Sequence, residues 1–357
     1  MSKGIRLAAG LAGLALLASA CGEAPDENKG GGTAEAGPLS CMVTDTGGID
    51  DRSFNASAWK GMQAGATATK GKAEYIASTS ENDYIPNIGQ LVTKGCETIV
   101  TVGGLMGDAT TEAAKANPDQ QFAIVDSPSV AGQKIYGMEF NTAQSSFQAG
   151  YLAAAMSKTG KVATFGGLAI PPVTIFMDGF YEGVKYFNEK KGKKVEVLGW
   201  DEANPKSGSI AGDFGDQAKG KSISAGFIEQ GADVIFPVAG GTGLGAAAAA
   251  KESGGKVSVI WVDSDGCESV AEYCSVFLTS VLKNVSGAVE EAVTKSAAGP
   301  LTGSYLGTLD NGGTGLADFH EFDAKVPADL KAELEQIKTD ITSGTIKITS
   351  PSQPQAS

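Results

Sequence analysis

Ten short apolar runs, separated by amphipathic stretches, constrain this chain more than any other feature. LSCMVTD, KAEYIAS, ETIVTVGG, QFAIVDS and KIYGMEF are rich in β-branched and aromatic residues and read as strands. Stretches such as FNASAWKGMQAGATATK between them carry a helical period. The pattern then repeats: KVATFGG, KVEVLGWD, DVIFPVAGG, VSVIWVDSD and SVFLTS, separated by IFMDGFYEGVKYFNEKKG, KSISAGFIEQG and LGAAAAAKESGG. A parallel neighbour strand needs a crossover connection, and a helix supplies it, so this alternation predicts parallel, doubly wound α/β sheets. Having it twice predicts two Rossmann-like lobes. NTAQSSFQAGYLAAAMSK is expected to carry the chain from one lobe to the other. GSYLGTLDNGGTGLADFHEFDAKV is expected to add strands, and PADLKAELEQIKTDITSG a final helix. The expected boundaries are residues 39–145 with about 268–303 for the first lobe, 146–267 with about 304–348 for the second, and a tail over 349–357.

Residues 1–20 read as a secretion signal. MSKGIR carries two positive charges and no acid, LAAGLAGLALLASA is small and apolar, and Cys21 follows directly. The run is too short for an ordinary membrane helix. A cysteine after LLASA resembles a lipoprotein signal, with Leu17 four residues ahead of it where three is usual, so Cys21 is expected to be acylated, with palmitate among the attached chains. Residues 21–38 hold almost nothing that could enter a core and read as a Gly-rich tether. The folded body is therefore expected at the outer, extracytoplasmic face of the cell membrane, held there by lipid only. Its formal charge of −13 becomes more negative once Lys3 and Arg6 are removed. Such a surface argues against nucleic acid and against direct adhesion to anionic lipid.

Four further cysteines, Cys41, Cys96, Cys267 and Cys274, allow three pairings outside the cytoplasm. Cys41 and Cys96 each open a predicted strand and Cys267 and Cys274 flank one loop, which favours 41–96 and 267–274; four reduced thiols is the alternative. The spacings form no zinc motif, no metal or cofactor is expected, and the only histidine, His320, reads as a structural residue in a strand.

In doubly wound sheets ligands sit beyond the carboxyl ends of the strands. Asp45, Gly103, Gly104, Asp126, Gly240, Gly241 and Asp263 all fall at such ends. Singly, each is an ordinary turn residue; together they favour a cleft. GDQAKGKS, residues 215–222, matches the P-loop spacing but follows NPKSGSIAGDF, a loop, where that motif needs an apolar strand. Lys219 and Lys221 are therefore assigned to an exposed helix start. GTGLGA, residues 241–246, follows the strand DVIFPV and precedes Asp263 at the next strand end, which is the dinucleotide fingerprint. Outside the cell nicotinamide cofactors are scarce, but the same elements can grip a ribose that carries no phosphate.

DTGGIDDRSFNASAWKG, VAGGTGLG, VDSD and LTSVLKNV, in this order and at these distances, resemble the basic membrane protein (BMP) family from about Ser40 to Ile348. The resemblance implies a substrate-binding lipoprotein with the type I periplasmic-binding-protein fold, two lobes joined by three crossovers. It also implies purine nucleosides as ligand and ABC permease and ATPase subunits as partners. It places Phe54 and Phe176 on the two faces of the purine, Asn55 and Asp45 at the base edge, Asp126, Asp263 and Lys283 at the ribose hydroxyls, and Gly241 at a main-chain contact. Phe165, Phe180 and Tyr181 are alternatives to Phe176, and Trp59 is expected in the core. Gly266 and Cys267 stand where members often have an amide residue after VDSD. Asp51 or Ser53 is expected to cap the helix that carries Phe54.

Two other classes stay open. An enzyme acting on nucleosides or nicotinamide cofactors lacks a nucleophile and base pair: there is no G-x-S-x-G and no cysteine beside a histidine. Asp45 and Asp126 are of a type that serves as acid and base, but no spacing demands it. A surface sensor or adhesion protein that kept the fold is the third class.

Overall fold

The computed structural model describes residues 37–354. The expected signal over 1–20, the acylated Cys21 and most of the tether lie outside the described residues. Among the described residues no helix is long and apolar enough to cross a membrane.

The first lobe is built on β1 (Leu39–Thr44), β2 (Lys72–Ile76), β3 (Thr98–Val102), β4 (Gln121–Val125) and β5 (Ile135–Phe140), with helices α1 (Phe54–Ala68), α2 (Tyr84–Lys94) and α3 (Gly107–Ala116) between them. The chain crosses over and forms α4 (Ala143–Met156), β6 (Lys161–Gly166), α5 (Pro171–Lys191), β7 (Glu196–Leu198), α6 (Gln217–Glu229), β8 (Val234–Val238), α7 (Leu244–Glu252), β9 (Ser258–Asp263), the short α8 (Gly266–Ser269) and β10 (Phe277–Lys283). It returns for α9 (Val285–Ala298) and β11 (Ser304–Gly307), then crosses a third time into β12 (Thr314–Leu316) and α10 (Ala328–Thr342).

The strand orders are β11-β5-β4-β3-β1-β2 and β12-β10-β9-β8-β6-β7. The two orders are equivalent position by position: β1 answers to β6, β4 to β9 and β5 to β10. All pairings are parallel except β10 with β12. Both faces of each sheet are covered, so the central strands are apolar throughout instead of alternating. β3 and β8 are buried along their whole lengths. In the first lobe α1 and α9 cover one face, with Met62, Val289 and Val293 in the core, and α2 and α3 cover the other. In the second, α4, α5 and α10 cover one face and α6 and α7 the other. Helices α4 and α5 approach backbone to backbone: a Cβ at Gly150 or Gly183 would lie 2.0 Å from the carbonyl oxygen of Phe180 or Phe147.

The three crossovers lie side by side. The amide of Asn141 donates to Gly307 O (2.8 Å), and that of Asn284 to Gly313 O (2.9 Å). The second and third crossovers differ from the boundaries expected from sequence. Residues 277–283 were expected with the first lobe, yet β10 pairs with β9 from Phe277 to Leu282 and stays in the second sheet until Lys283. Residues 304–307 were expected with the second lobe, yet β11 pairs with β5. A strand belongs to the sheet that satisfies its backbone hydrogen bonds, and that partner is not written in its own residues. Each lobe contains one disulfide, Cys41–Cys96 in the first and Cys267–Cys274 in the second.

Candidate functional site

Between the lobes, beyond the carboxyl ends of both sheets, lies a cavity. Its walls explain the local sequence after β1. Gly47 and Gly48 let the chain turn, and Asp51, buried, caps α1: its Oδ1 accepts from the amides of Ser53 (3.0 Å) and Ala56 (3.1 Å), its Oδ2 from that of Asn55 (2.7 Å). Asp51, three residues ahead of the helix, is thus the capping side chain, a choice the sequence left open. Ser53 does something else. Its hydroxyl donates across the cleft to Val262 O (3.1 Å) and Asp263 Oδ2 (2.8 Å). Ser264 Oγ donates back to Arg52 O (3.1 Å), so the two lobes meet directly and the cleft is shut.

Asp126 and Asp263 end the equivalent strands β4 and β9, and both have the left-handed backbone, with φ of 65° and 68°. Asp tolerates this conformation better than most residues. Lys283, at the end of β10, reaches from the second lobe to Asp126 in the first, Nζ to Oδ2 2.6 Å, with both side chains almost fully buried. Its ammonium stands 4.7 Å from the centre of the Phe54 ring, 5.3 Å from Phe140 and 5.7 Å from Phe176. A cation over aromatic faces is attracted by their quadrupoles.

Seven of the eight residues expected in the site line this one cavity: Asp45, Phe54, Asn55, Asp126, Phe176, Asp263 and Lys283. Gly241 does not. Gly240, with φ of +50°, turns the chain at the cavity wall and leaves Gly241 behind it, against the carbonyl of Phe214. Of the four aromatic candidates near β6 and α5, only Phe176 is in the lining. Phe165 packs on Phe227 and Phe180 on Phe236, and Tyr181 lies under Lys185. Trp59 is half-buried against Tyr75, away from the cavity.

Sequence reasoning missed Phe214, Asp51, Ile170, Pro172 and Val173 as wall residues. Phe214 immediately precedes the P-loop look-alike. That segment starts in a loop, as expected; Lys219 is exposed and Lys221 pairs with Glu252 (2.6 Å), both on α6. His320 is not in a strand. It opens a turn after β12, exposed, and contacts Asp265 at 2.7 Å. Asp265, Cys267 and His320 group metal-type donors there, but the Cys267 sulfur is bonded to Cys274 and offers no thiolate.

Burial dominates the electrostatics. It pushes Asp51 up to about 7 and Asp126 up to about 6, against the attraction of Lys283 in the second case, and raises Asp45 and Asp263 as well. Four carboxyl groups thus share the cavity with one ammonium. Such a wall offers many hydrogen-bond acceptors to hydroxyl and N–H donors and opposes an anionic ligand.

Two similar α/β lobes, three adjacent crossovers and a shut cavity between the sheet ends define a solute-binding protein of the type I periplasmic class. The chain matches the Bmp family, described as ABC transporter substrate-binding protein PnrA-like, over residues 39–349, and belongs to that family. A protein from Listeria innocua named CD4+ T-cell-stimulating antigen is 34% identical over 357 residues, spanning 94% of each chain. The ABC transporter nucleoside-binding protein BmpA of Lactococcus lactis is 33% identical over 362 residues, 96% of this chain and 97% of that one. An ABC transporter system solute-binding protein from Aeropyrum pernix shares the fold with a TM-score of 0.78 at 24% identity, covering 88% of this chain and 94% of that one.

Proposed function

We propose that this protein captures purine nucleosides between its lobes and delivers them to the permease and ATPase subunits of an ABC importer. It does so from the outer face of the cell membrane, anchored through lipid on Cys21, and performs no chemistry on the ligand. The observation that carries this reading is the cavity wall: Phe54 and Phe176 flank one ammonium, while Asp126 and Asp263 arrive from opposite lobes. Aromatic faces suit a flat heterocycle, at roughly 1–3 kcal/mol per stacked base. Carboxylates accept from vicinal hydroxyls, so a ribose held by Asp126 and Asp263 joins the lobes and favours the shut form. Asp45 and Asn55 are left for the base edge. The Lactococcus relative is named for nucleoside binding, which agrees.

The acidic cavity also sets a limit. A phosphate placed among Asp126, Asp263 and Asp45 meets repulsion that one ammonium, already paired with Asp126, does not offset. Calorimetry of the refolded mature protein tests the reading. Purine nucleosides are expected to bind, their 5′-monophosphates at least about a hundredfold more weakly, and no nucleoside should be consumed on long incubation. Phe54→Ala is expected to weaken nucleoside binding at least about tenfold without loss of fold. Absence of heat with every nucleoside defeats the proposal.

A further inference from the structure

A second chamber between the lobes adjoins the cavity, and the two share Gly104, Leu105, Asp126, Ile170 and Pro172 as walls. Gly104 of the first lobe and Pro172 of the second meet at this boundary: a Cβ at Gly104 would stand 3.3 Å from Pro172 Cγ. The chamber thus begins where Asp126 stands.

The C-terminal tail supplies one of its walls, through Ser352 and Pro354, opposite Pro128 and Glu139 of the first lobe. The amide and hydroxyl of Thr349 donate to Glu182 Oε1 (2.9 and 2.8 Å), Ser350 Oγ donates to buried Asp178 (2.5 Å), and Ser352 Oγ lies 2.7 Å from Thr174 Oγ1. All three partners belong to α5, so the tail is fixed to the second lobe. Gln353 Nε2 then donates to Asn141 Oδ1 at the first crossover (3.2 Å). Residues 350–354 lie beyond the span that matches the family, which makes this wall a feature of the present chain.

Most of the chamber is apolar, with Pro128, Phe140, Pro171, Ile175 and Pro354 around it. Asp126 and Glu139 are its charged groups among the described residues, and no described basic side chain lines it. Burial first, and the nearby Asp126 second, raise the Glu139 carboxyl, as in a space poor in water.

We infer that this chamber is a subsite for a compact apolar substituent on the 5′ carbon of a bound nucleoside, an alkylthio group above all. The inference rests on the reading above that Asp126 and Asp263 hold the vicinal hydroxyls of the ribose. With the base on C1′ and the hydroxyls of C2′ and C3′ held, C5′ is the exocyclic carbon left to bear a group, and the chamber opens at the ribose end. A phosphate there meets two carboxyl groups, whereas a thioether carries no charge and buries its carbon and sulfur against the prolines.

Calorimetric titration of the mature protein at pH 7.5 tests this with adenosine, inosine and guanosine and with the 5′-deoxy and 5′-deoxy-5′-methylthio derivative of each. For the base that binds best, the methylthio compound is expected to bind at least about fivefold more tightly than the 5′-deoxy compound. Deleting residues 350–357 removes the tail wall and is expected to cut that preference at least about twofold, and Pro354→Ser to cut it less. The preference is a ratio read within one variant, so a general loss of stability does not mimic its fall, and Pro354→Ser keeps the bonds of the tail to α5. A methylthio compound that binds no better than its 5′-deoxy parent overturns the subsite and leaves nucleoside capture standing. A preference untouched by the deletion overturns the tail-walled chamber as its source. No binding by any nucleoside of the set overturns the capture reading and this inference with it.

Discussion

Asp126 and Asp263 occupy equivalent strand ends in the two lobes, with nearly the same backbone conformation, yet their partners differ in kind. Asp126 meets a cation from the opposite lobe, and Asp263 meets the hydroxyl of Ser53. Burial raises both carboxyl groups, but only at Asp126 is it opposed by a direct ion pair. A duplicated fold thus supplies geometry twice, and burial raises the carboxyl at both positions, while the partner from the other lobe differs and works against that rise. It follows that the two lobes are joined by unequal links, one a buried ion pair and one a hydrogen bond from a hydroxyl.

The largest expected effect comes from breaking the ionic link. Lys283→Met leaves Asp126 buried without its cation and is expected to lower stability by about 3–5 kcal/mol at pH 7.5. Urea unfolding measures it, and the deficit should shrink at pH 5, where Asp126 takes up a proton. An equal deficit at both pH values would mean that the pair contributes packing and not charge.

A smaller effect is expected in the wild type. Asp51 and Asp126 hold protons in the folded state up to about pH 7 and 6, well above the ordinary value of 3.8. Their stabilising contribution is complete below about pH 4 and is lost as pH rises through 6 to 7. The unliganded protein should therefore be more stable at pH 5 than at pH 7.5, by roughly 1–3 kcal/mol. A flat or opposite slope in urea unfolding across this window would remove the burial of these carboxylates as its cause.

The hydroxyl link gives the smallest effect. Ser53→Ala is expected to cost about 0.5–1.5 kcal/mol of closure, read as a two- to tenfold loss of nucleoside affinity. An affinity unchanged by Ser53→Ala would show that the hydroxyl does not help to shut the cleft.

The legible part of the molecule is the part carried by local pattern. Two rounds of strand and helix, the strand-end positions of Asp45, Asp126 and Asp263, and the glycine turn after β1 all follow from residues within a few positions of one another. The crossover after β10 was not legible, because residues 277–283 look the same whichever sheet accepts them. Nor was the role of Ser53, which caps nothing and instead reaches 210 residues along the chain to Asp263. Phe214 was hidden for a similar reason: it sits in a loop with no period, and only the fold of the second lobe turns it to the wall. Gly241 shows the limit of a motif, since the turn presents Gly240 in its place.

A crystal structure of the mature protein grown with guanosine tests nucleoside capture most directly. The expected result is one nucleoside in the cleft, its base between Phe54 and Phe176 with its edge toward Asp45 and Asn55, and its ribose against Asp126, Asp263 and Lys283. A cleft occupied by some other ligand that guanosine fails to displace, or a nucleoside bound with its sugar at Asp45, would contradict it.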